Sequence, residues 1–218
     1  MLVTVPPLNT PNGNESTMEE IWITAVALGF VGFMVLRARR VRQKMLRVWR
    51  TFADMSGLHF DEGSMTRGSQ ITGEVEGRAI RIAVVTRGSG KNKTVYTDFS
   101  AQITGEVPQG LQLTREHFFS GLGKLFGSQD IRTGFEELDR IAMIKGVSTD
   151  AVIAYFQNDL IRQAAIDHLR SSPLARIEGK NVLIAHHGIV DDLTVLQQAT
   201  ERLVQVARSL SLSDGRRQ

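Results

Sequence analysis

Ile21 to Leu36 reads IWITAVALGFVGFMVL, and Arg37 to Arg50, following without a break, reads RARRVRQKMLRVWR. The first stretch holds no charge over sixteen residues, and the second carries seven positive charges. A sixteen-residue helix rises roughly 24 Å, short of the ~30 Å hydrocarbon core of a bilayer. Met18 extends the apolar stretch by one turn, interrupted by Glu19 and Glu20, and Arg37 can reach outward at the other end. A mismatch of a few ångströms costs only fractions of a kcal/mol per Å. The run is therefore expected to form a single transmembrane helix, anchored by Ile21, Trp22, Leu28, Phe30, Phe33 and Leu36, with Trp22 at the interface. A buried core helix is the competing reading, and the basic flank weighs against it.

Residues 1–20 contain no Lys or Arg but include Glu15, Glu19 and Glu20. Positive charge on the C-terminal side alone predicts the N-terminus outside and the remainder in the cytoplasm. A cleaved signal peptide would need the opposite order. Residues 1–20 are expected to be a disordered external tail, 21–36 the transmembrane helix and 37–57 a basic juxtamembrane helix. A soluble domain over 58–211 and a polar tail over 212–218 complete the expected organisation. Within the basic segment, Arg37, Arg39, Arg40, Arg42 and Lys44 are placed to meet anionic headgroups, each worth about 1 kcal/mol near such a surface. Ala25, Gly29 and Gly32 give the apolar segment a small-residue face on which helices could pair. After Arg40, the residues Val41, Met45, Val48, Phe52 and Met55 step by four and three, one face of a helix that Gly57 would end. That face could pack on the soluble domain or against a second copy.

Charge and composition narrow the function classes. Residues 1–50 hold seven Lys/Arg against three Asp/Glu, while 51–218 hold nineteen against twenty. The basic character thus belongs to the helix, and the near-neutral domain lacks the excess that nucleic-acid binding draws on. Hydrophobic content of 42% with 22% charged residues is enough for a folded core. Absence of cysteine excludes disulfides, thiolate catalysis and Cys-ligated metal sites.

The domain reads as α+β. QITGEV (70–75) and RAIRIAVVT (78–86) flank Glu76-Gly77, a tight-turn signal, and VYTDFSAQI (95–103) alternates again after a Gly/Ser/Lys-rich loop. His117–Phe126 is expected to be a short helix. Phe135–Ile144 starts like a helix and ends like a strand. Ser148 and Asn158 are N-cap signals for two helices. Ala175–Glu178 and Asn181–His186 form a second hairpin around Gly179-Lys180. Asp191 is expected to cap a last helix whose stripe is Leu193, Leu196, Thr200, Leu203, Ala207 and Leu210.

The chemical motifs are incomplete. Gly121–Gly127 lacks both the spacing and the Ser/Thr of a phosphate loop, and Phe126 stands where a dinucleotide fingerprint needs glycine. His186 and His187 are adjacent on a strand and should face opposite ways. Asp130, Glu136, Glu137 and Asp139 form an acidic cluster best read as a solvated helix face. No catalytic, cofactor-binding or metal-ligating residue is expected.

Gly73, Gly77, Arg78, Ile80 and Ile82 of the first hairpin, the Gly123–Gly134 segment and the FEELDR run at Phe135 carry a resemblance over about residues 70–210. The chain resembles a loose group of bacterial membrane-anchored proteins of unknown function. The resemblance implies an α+β domain behind a membrane helix, and it assigns no chemistry. The full expectation is a single N-terminal transmembrane helix followed by an antiparallel-sheet domain with helices on one face, at the bacterial inner membrane. The expected function is that of a membrane-tethered, non-enzymatic interaction or scaffold protein. Its expected partners are the bilayer's anionic headgroups and either a second copy or another membrane protein. The alternative is a membrane-surface enzyme or lipid-handling domain assembled from sequence-distant residues such as Asp130, Asp139 and His186.

Overall fold

A computed structural model describes residues 13–64, 67–115 and 130–211. The chain divides into two compact units, 1–44 and 45–218. Helix α1, Gly13–Ser56, runs through the end of the first unit and into the second. Among the described residues no helix is long and apolar enough to cross a membrane. The transmembrane helix expected over 21–36 is therefore withdrawn. The physical reason is length: the uncharged run between Glu20 and Arg37 holds sixteen residues, about 24 Å along the axis.

In the second unit, α1 contributes Met45, Trp49, Phe52 and Ala53 to the core, each at most 3% exposed. The buried stripe is rotated from the expected one. Val41 and Met55 face solvent, and Trp49, which the expected stripe does not include, lies at the centre of the buried one with no exposed surface. The indole N–H of Trp49 donates to the Val190 carbonyl at 2.7 Å. The Val190 N–H in turn donates to the Thr97 hydroxyl at 3.0 Å, and that hydroxyl donates to the Gly188 carbonyl at 2.9 Å. Gly57, at φ +65°, ends the helix in the left-handed conformation.

Among the described residues, the rest of the unit is an eight-stranded antiparallel sheet with four further α-helices and one 3-10 turn, Gly90–Asn92. The strands are β1 (His59–Asp61), β2 (Gln70–Val75), β3 (Arg78–Arg87), β4 (Thr94–Gln102), β5 (Gln112–Arg115), β6 (Ala142–Lys145), β7 (Arg176–Glu178) and β8 (Asn181–His187). The helices are α2 (Glu136–Ile141), α3 (Thr149–Phe156), α4 (Asp159–Ser171) and α5 (Leu193–Leu210). Strand order is β1-β2-β3-β4-β8-β7-β5-β6, so the second hairpin pairs with the first meander and β5 is inserted beside β7.

Register explains the core. Residues directly opposite share a face, so one row runs Phe60, Ile71, Ile82, Phe99, Ile184 from β1 to β8. A second row runs Ile80, Ala101, Val182, Ile177, Leu113, Ile144 from β3 to β6. Every residue of both rows is buried except Phe60, which is half-buried against the same core. Ile161, Ala165, Ile166 and Leu169 of α4 and Leu196, Leu203, Val204, Ala207 and Leu210 of α5 belong to that core. A one-residue slip would turn each row to solvent, so the hydrophobic pattern fixes the pairing.

Local signals account for the element ends. Glu76 (φ +52°) and Gly77 (φ +70°) are both left-handed, as a two-residue type I′ hairpin requires. The Ser148 side chain accepts from Ala151 N–H, and the Asn158 side chain accepts from Leu160 and Ile161 N–H groups. For α5 the cap is Asp192, not Asp191: the Asp192 carboxylate accepts from Thr194 and Val195 N–H at 2.8 and 3.2 Å. The run at Phe135 divides at Ala142 into α2 and β6, joining both halves of its ambiguous pattern. The helix expected over 117–126 lies outside the described residues.

Replacing Trp49 by alanine opens a large buried cavity and strips the Val190 carbonyl of its donor. Urea unfolding of Trp49→Ala should show a loss of about 3–5 kcal/mol. Trp49→Phe should lose less, since it keeps most of the ring volume. Equal losses for both would mean that the hydrogen bond dominates.

Candidate functional site

The residues expected to meet a membrane fall in the first unit. Leu28, Phe30, Phe33 and Leu36 are 68%, 63%, 58% and 58% exposed, and Val26 and Met34 are also exposed. The side chains of Ile21 and Trp22 lie outside the described residues. Arg37, Arg39, Arg40, Arg42 and Lys44 are exposed on the same helix. At 100° per residue they are distributed around it rather than along one face. Arg50, the last cation of the basic stretch, is instead paired with Glu62. Ala25, Gly29 and Gly32 are exposed, and a Cβ added at either glycine would meet nothing within 4 Å.

The residues named for an assembled enzyme site are held apart in local roles. Asp139 closes the turn before α2. One of its oxygens accepts from the Thr133 N–H and hydroxyl at 3.0 and 2.7 Å, and the other accepts from the Gly134 N–H at 2.9 Å. His186 packs edge-on against Phe99, with ring centroids 5.4 Å apart, and burial pushes its imidazole pKa down. Asp130 is exposed. No hydrogen bond or ion pair among the described residues joins these three. His187 turns to the other face of the sheet and packs on Tyr96 at 4.6 Å, so the histidine pair divides as the strand period requires. Gly121–Gly127 and His117 lie outside the described residues. No three His, Asp or Glu side chains form a metal-binding group among the described residues.

Two polar arrangements were not visible in sequence. On the sheet face opposite the core rows, Arg87 and Arg176 share one oxygen of Asp98, at 2.5 and 3.5 Å. Arg176 also binds Glu178 at 2.7 Å, and the Arg87 guanidinium lies 4.9 Å from the centre of the Tyr96 ring. The second is His168 on α4, which is 1% exposed. Its Nε2 faces the Arg176 and Leu183 carbonyls at 3.2 and 3.0 Å. Carbonyls only accept, so Nε2 carries the proton and Nδ1, which has no partner, is bare. Burial pushes the His168 pKa down to about 4, against the opposing pull of the two carbonyl bonds.

The described residues also enclose a concave site. A cavity of about 380 Å³ lies between the last turns of α1, the β2–β3 hairpin and α5. Phe52, Val75 and Val204 give it apolar walls, and Glu76 and Arg208 form an ion pair at its edge. Thr200 lines it at 5% exposure, and its hydroxyl has no hydrogen-bond partner. Glu201 and the amides Gln197 and Gln205 complete the polar part. One sequence signal pointed here: Thr200 is the polar member of an otherwise apolar stripe.

Comparison with protein-family models, with curated proteins and with solved structures yields no match.

His168 sets a pH dependence whose sign follows from the lowered pKa. The folded ring stays neutral to about pH 4, while the unfolded ring takes up a proton near pH 6.5. Its contribution is therefore complete above pH 6.5 and is lost as pH falls from 6.5 towards 4. The loss amounts to about 3 kcal/mol at the lower end. Urea midpoints measured across this window should fall steeply for the native chain. They should fall less for His168→Gln, which keeps a donor and cannot charge. Parallel curves would remove His168 as the cause.

Proposed function

We propose that the chain is an interaction or scaffold protein tethered to an anionic membrane surface, with α1 as the tether. The observation that carries this reading is the juxtaposition on one helix of exposed apolar side chains, Val26, Leu28, Phe30, Phe33, Met34 and Leu36, with exposed cations from Arg37 onward. Large apolar groups in water are unfavourable at about 25 cal/mol per Å². Exposed apolar surface rimmed by polar residues marks membrane or protein contact sites. The adjoining cations favour a surface of negative charge, such as the cytoplasmic leaflet of a bacterial plasma membrane. Arg37, Arg39, Arg40 and Arg42 form no ion pair among the described residues, so their charge is available to headgroups. The near-neutral second unit fits a body held at the surface by α1 rather than by its own charge. No observation favours the enzyme alternative, because Asp130, Asp139 and His186 have separate environments.

Co-sedimentation with lipid vesicles tests the reading. The full-length chain should pellet with vesicles containing about a third anionic lipid. The combined change of Arg37, Arg39, Arg40 and Arg42 to Gln should weaken binding roughly a hundredfold or more, at about 1 kcal/mol per charge. Phe30→Ser with Phe33→Ser should weaken binding to neutral and anionic vesicles alike. A chain that remains in the supernatant with anionic vesicles would sink the proposal.

A further inference from the structure

We infer that the cavity between α1, the β2–β3 hairpin and α5 is a binding site for a small molecule with an apolar body and one cationic head group. It depends on no part of the membrane reading, since every lining residue lies between 52 and 208.

Size comes first. A volume of about 380 Å³ falls within the ~300–1,000 Å³ of pockets that take small ligands. The walls come next. Phe52 and Val204 are 2% and 3% exposed, so the core fixes them behind the cavity, and the half-buried Val75 supplies apolar surface that a ligand can touch. Rigid walls limit the ordering cost of binding. The hairpin wall is equally fixed, because its type I′ turn holds Glu76 at φ +52° and Gly77 at φ +70°.

Polar groups then select the ligand. Buried hydroxyls are ordinarily hydrogen-bonded, and the Thr200 hydroxyl, in a residue 95% removed from solvent, is not. Its oxygen is sealed from the cavity as placed, and it can donate or accept once the side chain turns about χ1 towards a ligand polar group. Charge decides between ligand classes. Arg208 is occupied by Glu76. Glu201, on the same wall, makes no ion pair or hydrogen bond among the described residues. The lining therefore carries one uncompensated negative charge. An ammonium group can sit against Glu201, whereas a carboxylate there would meet a like charge. The amides of Gln197 and Gln205 can serve either sign and do not alter the preference.

Isothermal titration of the full-length chain with 2-phenylethylammonium, 2-phenylethanol and phenylacetate reads this preference directly. Methyl resonances of Thr200 and Val204 report where each probe binds. The ammonium probe should bind most tightly and shift both methyls, the alcohol more weakly, and phenylacetate not at all. Glu201→Gln, an exposed change that leaves the core untouched, should weaken the ammonium probe about fivefold and leave the alcohol unaffected. Thr200→Val should weaken both. The inference is overturned if the ammonium probe fails to bind at roughly millimolar concentration. It is equally overturned if the three probes bind alike, if Glu201→Gln changes nothing, or if the shifted methyls lie elsewhere.

Discussion

The indole of Trp49 is where helix, loop and sheet are tied together. Its ring has no exposed surface, and its single donor reaches the Val190 carbonyl. The amide of that same residue leans on the Thr97 hydroxyl at the centre of the sheet. A buried tryptophan needs a partner for its N–H, and here the partner is backbone that is itself held in place. The rotation of α1 about its axis follows. With Trp49 pointing inward, Met45, Phe52 and Ala53 must point inward too, and Val41 and Met55 must point out. What looks in sequence like a connecting helix is, from Met45 onward, a component of the core.

That rotation also shapes the concave site. Phe52 is one turn beyond Trp49, and its ring forms a wall of the cavity because the helix cannot turn away. The opposite wall is α5, whose stripe is pressed on β4 and β8 by the two cross-strand rows. The cavity lies between these two helices and the tip of the first hairpin. Its polar lining comes from α5 positions just off the core-facing line, together with Thr200 on that line.

Much of the second unit is legible in sequence, for local reasons. Glu76-Gly77 announces a type I′ turn because both positions need positive φ, and Ser148 and Asn158 announce helix starts because their side chains accept orphan N–H groups. Where two residues compete for one role, pattern is silent. Asp191 and Asp192 are chemically equal, and only backbone geometry selects the second as cap. The stripe on α1 is displaced because stepping by fours and threes from Val41 or from Met45 fits several neighbouring faces. Tertiary burial of Trp49 picks one of them. The short strands β1 and β5 have too few residues to show alternation. The Arg87–Asp98–Arg176 network joins three strands, with partners up to 78 positions apart being fixed only by register. The apolar run at 21–36 is the instructive miss: its composition suggests a bilayer crossing, while its length does not supply one.

The two outer strands of the sheet have a consequence for crowding. β1 and β6 are only three and four residues long, and the Ile144 carbonyl on β6 is already taken by the Ile131 N–H. A long bare margin would offer neighbouring chains a template for growing one continuous ladder. With both margins this brief, many copies gathered side by side have little backbone to add to, so local enrichment need not seed fibrils.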